Sequence, residues 1–181
     1  MVWCIPAHRR KPWVQRISIN CTLKECRIRR GVSMPQSLSC VNLHIIFSTK
    51  NRLKLIPDHR KEDVFAYIST IIRDKQSQCY RIGGTDNHIH IACRQARTVA
   101  QSDLLRIIKA ESSRWIRKAI NPEFGWQTGY GCFSVSKSQL PKLITYIENQ
   151  ERHHIRLPFQ DEYRDFLRRY DIAYDEKYVW D

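Results

Sequence analysis

The chain has 181 residues, 42% of them hydrophobic, and a formal net charge of +13 from 31 Lys and Arg against 18 Asp and Glu. That length supports one domain with a real core, while no apolar run is long enough for a membrane helix and no signal-peptide core follows the early basic residues. The charge points to an anionic partner, nucleic acid first, and the seven cysteines fit neither a disulfide framework nor a zinc ribbon, so reduced thiols in a cytoplasmic protein are expected.

Residues 1–33 hold eight Lys and Arg against one acid, Glu25, and so carry +7 of the total. They show neither helical nor strand periodicity and are expected to be a basic extension outside the fold. From Val41 the texture changes: Val41, Leu43, Ile45 and Phe47 alternate, which predicts a first strand with these four on one face. Helical spacing of Val64, Ile68, Ile71, Ile72 and Lys75 predicts a helix over 61–78. "CYRIGG" reads as a short strand closed by a glycine pair that can take positive φ, and "HIHIAC" as the next strand after the turn residues Thr85, Asp86 and Asn87.

Ser102–Ala119 is the clearest helix, with Leu104, Leu105, Ile108, Trp115 and Ala119 on one stripe and Arg106, Lys109, Ser113 and Arg117 opposite. "FGWQTGYGCFSVS" suits a strand or hairpin. Ser138 or Ser136 can cap a long helix running to about His154, with Pro141 in its first turn. A short helix near 161–170 and an irregular tail follow. The class expected is α+β, one antiparallel sheet with helices packed on it.

Two residues carry the functional question. On a strand, His88 and His90 project to the same side while Ile89 and Ile91 point to the core. Two neutral imidazoles are half of a metal site, and the alternative is a pair of histidines on a solvent-facing strand. In "LITYIENQERHH", Tyr146 and Gln150 lie four apart on one helix face, with His153 a further turn along. Leu140, Leu143, Ile144 and Ile147 form the packing stripe, so Tyr146 and Gln150 fall on its flank, where they can reach a sheet. A tyrosine anchored at the core rim beside a solvated glutamine is the plainer reading of that helix alone.

"HIHI" followed by a helical "YIENQ", together with "MPQSLSCVNLHIIFSTKNR", "SSRWIRK", "FGWQTGYGCFSVS", "FQDEYRDFLRRY" and "YDEKYVWD" in that order, resembles the insertion-sequence-200-like (IS200/IS605-type) single-tyrosine HUH transposases, REP-associated members included. The resemblance covers about residues 34–181 and makes Met34 look like a natural start, with residues 1–33 then read as upstream sequence. A genuine basic DNA-binding arm is the other reading of that segment. The resemblance implies a ferredoxin-like antiparallel sheet with flanking helices. It implies His88, His90 and Gln150 as ligands of Mg²⁺ or Mn²⁺ and Tyr146 as the nucleophile. It also implies single-stranded DNA with hairpins as partner, and a bacterial homodimer whose active sites are shared between subunits.

The chemistry agrees with those residue types. A tyrosine oxygen that attacks a DNA phosphorus leaves a 5′-phosphotyrosine link, which stores the phosphodiester energy for rejoining. Two imidazoles and an amide would hold an ion without cancelling its charge. Phosphate contacts are expected from Lys50, Arg52 and Lys54 after the first strand, Arg94 and Arg97 after the histidine strand, and Arg106, Lys109 and Arg117 on the helix. For Trp126, Tyr130 and Phe133, core packing and base stacking are both open. Two rival readings are a non-catalytic or non-mobile binder of hairpin nucleic acid and a zinc-stabilised structural domain. The first has no need for all of His88, His90, Tyr146 and Gln150; the second lacks a further Cys or His at usable spacing.

Overall fold

The computed structural model describes residues 37–150, 152 and 158–180. The expected extension over residues 1–33 and the imidazole of His153 lie outside the described residues. Leu38–Asp181 forms a compact unit of its own.

Four strands pair antiparallel in the order β2-β3-β1-β4: β1 Val41–Ser48, β2 Gln78–Gly84, β3 His88–Gln95 and β4 Gly131–Val135. Helix α1 (Lys61–Asp74) joins β1 to β2, and α2 (Gln101–Ala119) joins β3 to β4. This βαββαβ succession with β1 and β3 central is the ferredoxin-like arrangement, and the chain is α+β. Helices α3 (Leu140–Glu148) and α4 (Phe159–Arg169) follow β4 among the described residues.

Helices α1 and α2 cover one face of the sheet. Leu43, Ile45, Phe47, Ile89 and Ile91 meet Val64, Ile68, Ile72, Leu104, Leu105 and Ile108 there, all buried. The expected face of β1 therefore holds, except that Val41, at the strand's first position, is 45% exposed. Helix α1 stops four residues short of the expected end. Gln76 turns to φ 56°, and the Ser77 N–H closes on the Ile72 carbonyl at 3.1 Å, so the carbonyls of the last turn are satisfied without more helix. The "FGWQTGYGCFSVS" stretch contributes one edge strand, with Trp126 bridging to Thr49 ahead of it.

The opposite face is covered by the other two helices, side by side. Helix α3 packs Leu140 and Ile147 onto Ala92 of β3, with Tyr80 of β2 beside them. Helix α4 packs Tyr163 and Leu167 onto Ile46 of β1 and Phe133 of β4. Pro141 sits in the first turn of α3, where a missing N–H costs nothing, and the Ser136 hydroxyl accepts the Gln139 N–H at 3.3 Å. Of the aromatic residues, Trp126 and Phe133 are core, and Tyr130 is 39% exposed. A seam remains between α3 and α4 above the two central strands. No helix among the described residues is long and apolar enough to cross a membrane.

Candidate active site

The seam is lined by the polar residues of an otherwise apolar pair of strands. On β1, Asn42, His44 and Ser48 share the face of Ile46; on β3, His88 and His90 share the face of Ala92. All five are buried, His88 at 1% and His90 at 0% exposed. A solvent-facing histidine pair is therefore overturned, because α3 and α4 close over the face that alternation alone would leave wet. Buried imidazoles in such a place need partners.

They have them. His88 Nδ1 lies 2.7 Å from Asn87 Oδ1 and 2.9 Å from Thr85 Oγ1. The Asn87 amide donates its own Nδ2 to the Arg52 carbonyl at 3.4 Å, which orients Oδ1 as the acceptor. His88 therefore carries its proton on Nδ1, and Nε2 is the nitrogen suited to a metal. His90 Nδ1 lies 3.0 Å from His44 Nε2. His90 Nε2 lies 3.6 Å from Glu162 Oε2, a gap too long for a hydrogen bond and close to the separation of two ligands on one ion. Ligand atoms of His88, His90 and Glu162 all fall within 4.8 Å of one another.

Gln150 enters from the end of α3, 1% exposed, and donates Nε2 to Glu162 Oε1 at 3.4 Å. Its Oε1 is buried and makes no hydrogen bond among the described residues. An orphaned amide oxygen beside two imidazoles and a carboxyl is the donor set that a divalent cation would satisfy. The residues present thus fit a metal. The expected all-neutral set gains a carboxyl. Burial, and secondarily Asp165, push that Glu162 carboxyl up to about 8.

Tyr146 comes to the same seam from the same chain. Its ring centroid is 5.8 Å from His90 and 6.1 Å from His44, and its hydroxyl oxygen is buried. The ring also lines a surface cleft of about 490 Å³ with Pro141, Lys142, Thr145 and Asn149, so the tyrosine has both an inner and an outer side. What lets α3 lie this close is Gly83 of β2: a Cβ there would stand 2.4 Å from the Ile147 carbonyl oxygen. Of the glycine pair only Gly84 has positive φ, at 154°, where it turns the chain into His88.

The cations expected to hold DNA are more scattered. Lys50 and Arg94 are exposed at ends of the sheet, and the Arg52 guanidinium lies over Trp180 at 5.5 Å. Arg106, Lys109 and Arg117 do converge, with Arg114, Gln127 and Tyr130, on a cleft of about 590 Å³ along α2. Two of them also hold the chain: Lys109 Nζ donates to the Thr128 and Gly129 carbonyls at 2.7 and 2.9 Å, and Arg117 Nε to Phe124 at 2.8 Å. Partial burial lowers Lys109 to about 8.

Two residues of the site escape a reading of the sequence, Glu162 and His44. Glu162 had a local signal, a charged residue inside the apolar stripe Phe159, Tyr163, Phe166 and Leu167. Phe159, one turn before it, stacks on His88 at 4.3 Å. The signal at His44 was an imidazole at an otherwise apolar stretch of strand, "NLHIIF". It is 2% exposed, and burial lowers it to about 3, so it is neutral.

Comparison with known proteins bears on the fold and the family. No curated protein sequence matches the chain. Among solved structures, it is similar to a candidate transposase from Deinococcus radiodurans R1, at 18% identity and TM-score 0.53, over 68% of this chain and 98% of that one. It is similar also to a REP-associated tyrosine transposase bound to a REP hairpin, at 16% identity and TM-score 0.52, over 83% and 94% of the two chains. These likenesses concern the fold. The family model for IS200-like transposases matches residues 37–150, more than half of the chain and a span holding β1 through α3 with His88, His90, Tyr146 and Gln150. The chain belongs to the IS200-like transposase family.

Proposed function

We propose that the protein cuts and rejoins single-stranded DNA through a 5′-phosphotyrosine intermediate. The observation that carries the reading is the meeting, inside one chain, of Tyr146 with a histidine pair whose Nδ1 atoms are both engaged in hydrogen bonds. His88 and His90, with Gln150 and Glu162, would hold a divalent cation, Mg²⁺ or Mn²⁺. Such a cation, when bound, polarises a phosphate oxygen and offsets the charge that builds up at phosphorus.

The chain's own groups do the rest. Tyr146 is held by α3 with its hydroxyl buried in the seam; as the Tyr146 O–P bond forms and the P–O3′ bond breaks, the proton lost by the phenol is matched by one taken up at the departing O3′, which is released as a 3′-hydroxyl. The reverse attack by a 3′-hydroxyl restores the tyrosine, so no outside energy source is needed. Helices α3 and α4, with Phe159 over His88, keep water from the histidines. The cleft beside Tyr146 gives the scissile strand a way in.

The DNA partner is proposed to carry a hairpin, as in the REP-associated neighbour, with phosphates met by Arg106, Lys109 and Arg117 and by Lys50, Arg52 and Arg94. Association as a homodimer is part of the proposal, with each active site formed within one chain or shared between the two subunits. One chain already brings Tyr146 to its own His90. Verified heterodimers of His88→Ala and Tyr146→Phe subunits distinguish the two arrangements: complete inactivity assigns each site to one chain, and partial recovery of cleavage establishes exchange. The proposal itself is tested by incubating the protein with single-stranded DNA flanking its own locus and Mn²⁺. A covalent protein–DNA adduct that survives denaturation and does not form when EDTA is present is the expected result; its absence with every flanking strand would contradict the reading.

A further inference from the structure

We propose that His44 is a positioning residue: it accepts the Nδ1 proton of His90 and so fixes Nε2 as the nitrogen His90 presents to a metal. The inference rests on the metal-site reading above, but its first test does not need a metal.

His44 and His90 lie on neighbouring central strands in diagonal register, since His44 pairs with Ala92 and His90 with Ile46. Both rings point into the seam, and their facing nitrogens are 3.0 Å apart. At that distance one proton lies between them. If His44 Nε2 carried it, His90 would have to be the Nε2–H tautomer, whose ring has no lone pair on the side of Glu162. If His90 Nδ1 carries it, Nε2 is a ligand. The second arrangement matches His88, where Asn87 Oδ1, an acceptor, forces the same tautomer.

The ring of His44 is itself held in place. Phe166 of α4 meets it edge-on at 5.1 Å, and Tyr146 of α3 at 6.1 Å. His44 thus meets the Tyr146 ring and the His90 Nδ1 but is not one of the residues, His88, His90 and Glu162, whose ligand atoms lie together. The role is of a kind whose loss commonly costs about 10- to 100-fold in metal affinity.

The experiment uses the full chain. Long-range ¹H–¹⁵N NMR of the metal-free wild type reads the tautomer of His90 directly, and the Nδ1–H form is expected. Calorimetry with Mn²⁺ then compares His44→Phe, which keeps the volume but accepts nothing, with His44→Gln, whose Oε1 can reach the place of Nε2. The Phe variant is expected to bind Mn²⁺ about 10- to 100-fold more weakly, and the Gln variant to return near the wild-type value. An Nε2–H His90 in the wild type would overturn the proposal, even where the Phe variant fails to fold. So would a folded Phe variant with unchanged Mn²⁺ affinity. A wild type that shows Nδ1–H yet binds no Mn²⁺ would confirm the hydrogen-bond role and sink the metal-site reading instead.

Discussion

At the scale of single residues, the site is a set of candidate donors whose directions are fixed by the protein's own hydrogen bonds. Asn87 orients His88, and the buried Gln150 Oε1 makes no hydrogen bond among the described residues while its Nε2 faces Glu162. Different donors should therefore matter by different amounts. Removing an imidazole by His88→Ala or His90→Ala is expected to weaken Mn²⁺ by more than about 100-fold, since a lost ligand costs more than a lost orienting group. Glu162→Gln should cost less, and Gln150→Ala least, because a neutral amide is the weakest donor of the set. Calorimetry decides; unchanged affinity in both histidine variants would mean that the pair serves packing alone. That His88 and His90 share a strand face and that Tyr146 and Gln150 share a helix face was legible in the sequence, because i+2 and i+4 are local spacings; the roles expected of them came from the family resemblance. His44 was not legible, because its tie to His90 crosses 46 residues and depends on strand register.

Elements position those residues through close approach. Helix α3 can bring Tyr146 over β3 only because Gly83 has no side chain beneath Ile147. Gly83→Ala would put a methyl group 2.4 Å from the Ile147 carbonyl oxygen, on backbone that cannot rotate away. The expected cost is about 1–3 kcal/mol, seen as a lower thermal midpoint, together with a loss of adduct formation larger than the unfolded fraction explains. A wild-type midpoint and wild-type cleavage in this variant would show that the helix tolerates displacement. Element type was legible in the sequence almost everywhere, since each stripe has a single period. Boundaries were less so. The end of α1 was overrun because Lys75 fits the helical spacing, while the left-handed turn at Gln76 has no glycine to announce it.

At the scale of the whole molecule, the sheet separates two kinds of work. One face, under α1 and α2, is apolar core; the other carries the histidines between α3 and α4. Alternation along β1 and β3 could indicate two different faces, but not that both would be buried, because the docking of α3 and α4 is a long-range event. The cleft along α2 adds a basic groove whose members differ in their duties. Among the described residues Arg106 pairs with exposed Asp103 at 3.2 Å, whereas Lys109 and Arg117 also hold backbone carbonyls. Arg106→Ala is expected to weaken hairpin DNA and to lower the salt slope by about 1 without moving the thermal midpoint. Lys109→Ala should lower affinity and midpoint together. Fluorescence anisotropy across a salt series measures the slope, and an unchanged slope for both variants would take the cleft out of DNA binding.

The central claim is that Tyr146, set against the histidine pair within its own chain, is the group that becomes joined to DNA. The measurement that tests it most directly is mass spectrometry of the covalent adduct formed with single-stranded flanking DNA and Mn²⁺, run beside Tyr146→Phe. The account predicts a nucleotide linked to the peptide holding Tyr146, and a Phe variant that binds hairpin DNA nearly as well as wild type but forms no adduct. A nucleotide on any other residue, or an adduct formed by the Phe variant, would contradict it.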